Sequence, residues 1–110
     1  MAIDIVKANP LSTLASGAVT TSYQPLNTTP FQYPVLIAYI INDSSAPITI
    51  SYDGVTDQDY IRAGETRPYN VQTNAQPPSY KLAFARNTTV YVKGTAGTGT
   101  IALSTYYNKA

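Results

Sequence analysis

Cysteine, histidine and tryptophan are absent from this chain, and methionine occurs once. Each absence removes a kind of chemistry. Without cysteine there is no disulfide framework, no thiolate zinc site and no sulfur nucleophile. Without histidine the commonest general base and metal ligand is missing. Charge is also sparse: seven Lys+Arg against six Asp+Glu leave a net charge of +1, and charged residues make up 12% of the chain, about half the usual share. That balance argues against a basic nucleic-acid binder, an acidic solvating tail and a polybasic membrane anchor. Long apolar runs are lacking too, since the longest, Val35 to Ile41, falls far short of the ~20 residues that span a bilayer. The segment Met1 to Lys7 has an acid near its start and is too short and interrupted for a signal peptide. These absences lead to the expectation of a non-enzymatic protein, without cofactor, nucleic acid or membrane, made in a cytoplasm and kept there until it is assembled.

What is present points to an all-β chain. With 110 residues and 44% hydrophobic content, one domain spanning 1–110 with a real core is expected. Eight prolines are scattered along the chain, leaving few windows long enough for a stable helix. Thr, Tyr, Val and Ile dominate the rest, residue types suited to a pleated, half-buried surface. Strands are expected over Ile3–Lys7, Val19–Gln24, Val35–Asn42, Ile48–Tyr52, Asp59–Arg62, Arg67–Thr73, Tyr80–Ala85, Thr88–Lys93 and Thr100–Tyr107, from alternation bounded by turn residues. One helical turn is expected over Leu11–Ser16, after Pro10. In Val35–Asn42, Val35, Ile37, Tyr39 and Ile41 face one way and Leu36, Ala38 and Ile40 the other. Apolar side chains on both faces imply a central strand covered on both sides, or one whose outer face meets a partner. Two hairpins are expected: Val35–Asn42 with Ile48–Tyr52, and Thr88–Lys93 with Thr100–Tyr107, where Val90 and Val92 would pair with Ile101, Leu103 and Thr105. About eight short strands at this spacing predict a single-domain antiparallel β-sandwich, either a jelly roll or an immunoglobulin-like Greek key. Residues 8–34 are less regular; they are expected to cross between sheets, with an extended arm over a neighbouring subunit as the alternative.

The sequence contains two stretches that superficially resemble ligand sites. Asp53-Gly54-Val55-Thr56-Asp57-Gln58-Asp59 gathers three carboxylates in seven residues. Its spacing departs from the calcium loop D-x-[DN]-x-[DN]-G, and no glutamate follows at the right place, so a solvated turn is the expectation. Gly94-Thr95-Ala96-Gly97-Thr98-Gly99 lacks the Lys-Ser/Thr and the helix that a phosphate loop requires and runs into a strand instead. The six acids (Asp4, Asp43, Asp53, Asp57, Asp59 and Glu65) sit at expected turns or strand ends, which is poor shielding for a general acid. The three sequons at Asn27, Asn42 and Asn87 are read as turn and strand-entry residues.

Ten tyrosines are the most unusual feature. Tyrosine joins a large apolar body to a polar tip, which suits surfaces that become buried against another protein. Tyr39 and Tyr52 are expected in the core. Tyr69 and Tyr80 flank a proline loop, and Tyr91 and Tyr106 point away from Val92 and Leu103. These four, with Phe31 and Tyr33 in the irregular stretch, are the expected interface residues. The same side chains stack on sugar rings, so a carbohydrate-binding or host-attachment module is the alternative. Low charge density does little to oppose close packing of copies, which favours the protein interface.

Two stretches carry a family resemblance. One is Val35-Leu36-Ile37-Ala38-Tyr39-Ile40-Ile41-Asn42 with Ile48-Thr49-Ile50-Ser51-Tyr52-Asp53-Gly54-Val55-Thr56-Asp57; the other runs from Thr89-Val90-Tyr91-Val92-Lys93-Gly94-Thr95 to Tyr106-Tyr107. Over residues 35 to 107 the chain resembles the small β-sandwich virion structural proteins of tailed bacteriophages. The resemblance implies a homo-oligomeric virion component, a head (capsid) decoration, neck or tail protein. It would pack against itself and against major capsid, portal or tail proteins, with no ligand and no catalytic residue.

Overall fold

The computed structural model describes residues 6–33, 35–70 and 87–108. Nine strands and one short 3₁₀ turn are found there: β1 (Val6–Ala8), β2 (Ser12–Ala15), the turn Ser16–Ala18, β3 (Gln24–Pro25), β4 (Val35–Ser44), β5 (Ile48–Ser51), β6 (Asp59–Ile61), β7 (Thr66–Asn70), β8 (Tyr91–Gly94) and β9 (Gly99–Asn108). They form two antiparallel sheets packed face to face. Sheet A has the order β1-β9-β4-β7, with β2 also on β9; sheet B has the order β3-β8-β5-β6. β1 and β2 lie along the same edge of β9, opposite Tyr106–Asn108 and Thr100–Leu103 respectively. Taken as one split strand, they complete an eight-stranded jelly roll, the first of the two expected topologies.

The core follows from alternation in both sheets. Ala38, Ile40, Ile101 and Leu103 of sheet A face Ile48, Ile50, Ile61 and Val92 of sheet B, each at most 4% exposed. In β4 the register shifts between Val35 and Ile37, a bulge that buries both Val35 and Leu36 before alternation resumes.

Both expected hairpins are corrected. β4 and β5 do not pair, and neither do β8 and β9; each short connection crosses from one sheet to the other. Their apolar faces meet across the ~10 Å gap between sheets rather than side by side. The connections 45–47 and 95–98 lie together: Ser45 N–H donates to Thr98 O at 2.9 Å, and Thr98 N–H donates to Ser45 Oγ at 2.9 Å. Glycine permits this contact. At Gly99, with φ of +103°, a Cβ would stand 2.2 Å from Asp43 O, and at Gly94 it would stand 2.9 Å from Pro47 O.

The irregular N-terminal third also departs from expectation. Ser12–Ala15 is a strand rather than a helical turn, and the 3₁₀ turn follows it. Val19–Gln24 is not a strand, and only Gln24–Pro25 pairs with β8. Val19, Leu26 and Phe31 enter the core, and Leu26 and Phe31 N–H groups donate to Val90 O and Thr88 O. Within its own chain this stretch therefore crosses from sheet A at β2 to sheet B at β3. The expected strand Tyr80–Ala85, with Leu82 and Phe84, lies outside the described residues, as do Ile3–Ile5 and Val71–Thr73.

Candidate interaction surface

The acidic loop is held together by its own bonds. Asp53 accepts from Val55 N–H and Thr56 N–H, both at 2.8 Å, and from Ser51 Oγ at 2.7 Å. These bonds, the backbone one from Thr56 first, hold its carboxyl well below the usual carboxylate range. Asp57 accepts from the Tyr23 hydroxyl and pairs with Lys93 Nζ at 2.9 Å, and both contacts lower its pKa. Asp59 accepts from Tyr52 Oη at 3.0 Å and Tyr69 Oη at 2.5 Å, and pairs with Arg67 at 3.3 Å. The three carboxylates thus point to three different sets of partners. No cluster of three acidic side chains placed to hold a metal occurs among the described residues.

This loop also covers sheet B. Gly54, with φ of +80°, lies so close to the Tyr91 ring that a Cβ there would sit 3.3 Å from it. Lys93 stands 4.7 Å above the Tyr23 ring centre while pairing with Asp57. Tyr91 points outward from sheet B as expected, but its own chain half-buries it. Tyr60, at the β6 edge, is 54% exposed.

The other expected contact residues divide. Tyr69 faces inward opposite Ala38, packs on the core and meets the Tyr52 ring edge-on at 6.3 Å. Burial and its bond to Asp59 push its pKa up to about 12. Phe31, 6% exposed, is a core residue; both are corrections to the expectation of surface contacts. Tyr33 stacks on Tyr107 at 5.0 Å. Tyr80 lies outside the described residues. Tyr106 does point outward, from sheet A.

Tyr39, expected in the core, is a further correction. The bulge in β4 puts Ala38 and Ile40 inside and leaves Tyr39 38% exposed, edge-on to Tyr106 at 6.4 Å. Tyr52 packs against the core as expected.

Together these placements define the outer face of sheet A. Register puts Ile37, Tyr39 and Ile41 of β4 beside Tyr106, Ser104 and Ala102 of β9, with Pro68 and Thr66 of β7 on the other flank. Asp43, at the end of β4, is the only charged side chain on the outward positions of these three strands among the described residues. No loop like 52–58 lies over this face among them. A separate uncharged groove of about 370 Å³ runs between Asn9–Ser12 and Asn27–Gln32, floored by Leu103 and Phe31. Two of its amides are committed: Asn9 Nδ2 donates to Thr105 Oγ1, and Asn27 Nδ2 donates to Thr29 O and Thr88 O.

No family model and no curated protein matches this chain. A solved structure of a Bacillus endospore appendage protein, from a family described as disulfide-linked pili, is similar in fold. The TM-score is 0.56 at 15% identity, over 99% of this chain and 93% of that one. At that identity the likeness establishes the shared fold: an all-β sandwich of the kind found in an appendage subunit.

Proposed function

We propose that this protein is a non-enzymatic structural subunit of a tailed-bacteriophage virion. In this reading it acts on the head, neck or tail by packing against copies of itself and against capsid, portal or tail proteins. The observation that carries the proposal is the outer face of sheet A, where Asp43 is the only charged side chain on the outward positions of β4, β7 and β9 among the described residues. A free monomer would gain solubility from Lys and Glu on such a face, whereas a subunit held in an assembly gains contact area from apolar and tyrosine side chains. The acidic loop adds support, because its carboxylates are occupied in structural bonds. The pattern over residues 35 to 107 favours a virion.

A second reading, a subunit of a surface filament, is favoured by the fold shared with the appendage pilus protein. With no cysteine, copies of this chain in such a filament would be held by packing alone. Light scattering and negative-stain microscopy of the purified chain, alone and mixed with phage particles, test both. Self-association or particle binding is expected, and filaments rather than rings or shells would select the second reading. A persistent monomer that ignores particles and is retarded on a glycan column would overturn both and favour the carbohydrate-binding alternative.

A further inference from the structure

Resting on that reading, we infer that the outer face of sheet A docks a second copy of this chain, face to face, about a two-fold axis running across the strands. β4 and β9 are each ten residues long, about 33 Å at the usual strand rise, and four strand widths span about 19 Å. Because β7 and the β1–β2 edge are shorter, the plane is roughly 500 Å², and side-chain relief raises the contact area toward the ~800 Å² per partner of a stable interface. The relief is self-complementary. Tyr39 and Tyr106 stand together as an edge-on pair, while Ala102 and Ser104 beside them form a strip of small side chains. A two-fold axis at the level of Tyr39 and Ser104 sets Tyr106 of each copy against Ala102 of the other and the two Ser104 side chains face to face.

Charge sets the axis direction. Asp43, outward on β4, lies at one end of this face. Stacking with the strands reversed places the two Asp43 carboxylates at opposite ends, whereas stacking with the strands in the same direction would bring these like charges together. Among the described residues sheet B offers no equivalent face, because the 52–58 loop and the Tyr23–Asp57–Lys93 contacts lie across it.

The test measures mass against concentration by light scattering for the wild-type chain, Ile41→Lys, Tyr39→Lys and the sheet B control Tyr60→Lys. Thermal melts check that each variant folds. A single-thiol variant, Ser104→Cys, is then linked with a short bis-maleimide, which is unambiguous because the chain has no cysteine. The expected result is an even number of copies for wild type and Tyr60→Lys, and a linked dimer for Ser104→Cys. Ile41→Lys and Tyr39→Lys are expected to weaken association roughly thirty-fold or more, as loss of an interface hot spot does. If the β4 variants associate like wild type and Ser104→Cys fails to link, copies meet elsewhere: this inference falls and the structural-subunit reading stands. If wild type stays monomeric, the inference falls, whether the thiol introduced by Ser104→Cys is freely labelled or shielded by residues of its own chain. Binding to particles then decides the broader reading separately.

Discussion

Asn42 occupies the position where β4 leaves the core, fully buried. Its Nδ2 donates toward Ala46 O, Ile61 O and Arg62 O at 3.0 to 3.2 Å, and its Oδ1 accepts from the Ser44 hydroxyl. One amide thereby satisfies carbonyls of the 45–47 crossing and of the turn after β6. Replacing it with alanine removes the buried donor to Ile61 O, while Ala46 O keeps the Ser44 hydroxyl and Arg62 O keeps Glu65 N–H, so Asn42→Ala is expected to cost about 1–3 kcal/mol, read as a lower urea midpoint with unchanged slope. Its exposed neighbour provides the contrast, and Asp43→Ala should stay within about 0.5 kcal/mol. Asn27 plays a related part, with Oδ1 accepting from Val90 N–H at 2.7 Å. Both asparagines stand in N-x-S/T sequons, and a string of residues cannot distinguish a buried amide from an exposed turn.

At the scale of elements, the paired crossings 45–47 and 95–98 explain why adjacent strands do not form hairpins. Gly99 combines positive φ with a backbone approach that leaves no room for a Cβ. Gly99→Ala should therefore lower stability by about 2–3 kcal/mol or more, seen as a fall in melting temperature of roughly 10 °C or more. The 52–58 loop and the Asp59 bridge have a pH signature. Tyr23 and Tyr69 are each pushed up to about 12, by burial first and then by their bonds to Asp57 and Asp59. A phenol whose folded pKa exceeds its unfolded value of about 10 contributes fully below pH 10 and loses that contribution as pH rises toward 12. Stability should thus stay level to about pH 10 and then fall, with part of the phenolate absorbance appearing only on unfolding. On the acid side, Asp53 and Asp57 have lowered pKa values. Their contribution is present above the ordinary carboxylate range and lost as pH drops below it, and it is small because both are exposed.

For the whole molecule, the decisive contrast is between sheet B, crossed by its own 52–58 loop, and the outer face of sheet A, over which no such loop lies among the described residues. Association through an uncharged face responds little to screening. Raising sodium chloride from about 50 to about 500 mM should leave the apparent mass of the assembly nearly unchanged, whereas binding through rim charges would weaken in the same titration.

Composition and alternation alone were enough to identify an all-β sandwich with strands over Val35–Asn42, Ile48–Tyr52 and Thr100–Tyr107, because a period of two is a local property of the chain. The turn at residues 53–59 was legible from local sequence as well. Which strands become neighbours is not local. The 45–47 and 95–98 loops are short enough for hairpins, and only the need to press two apolar faces together sends β5 and β8 into the opposite sheet. The bulge at Leu36 then reverses the facing of β4, moving Tyr39 from the expected core to the surface, while long-range packing carries Tyr69 and Phe31 inward. Tyrosine abundance could not show which rings turn outward; pairing and burial across the fold decided that Tyr39 and Tyr106 do and that Tyr69 turns inward.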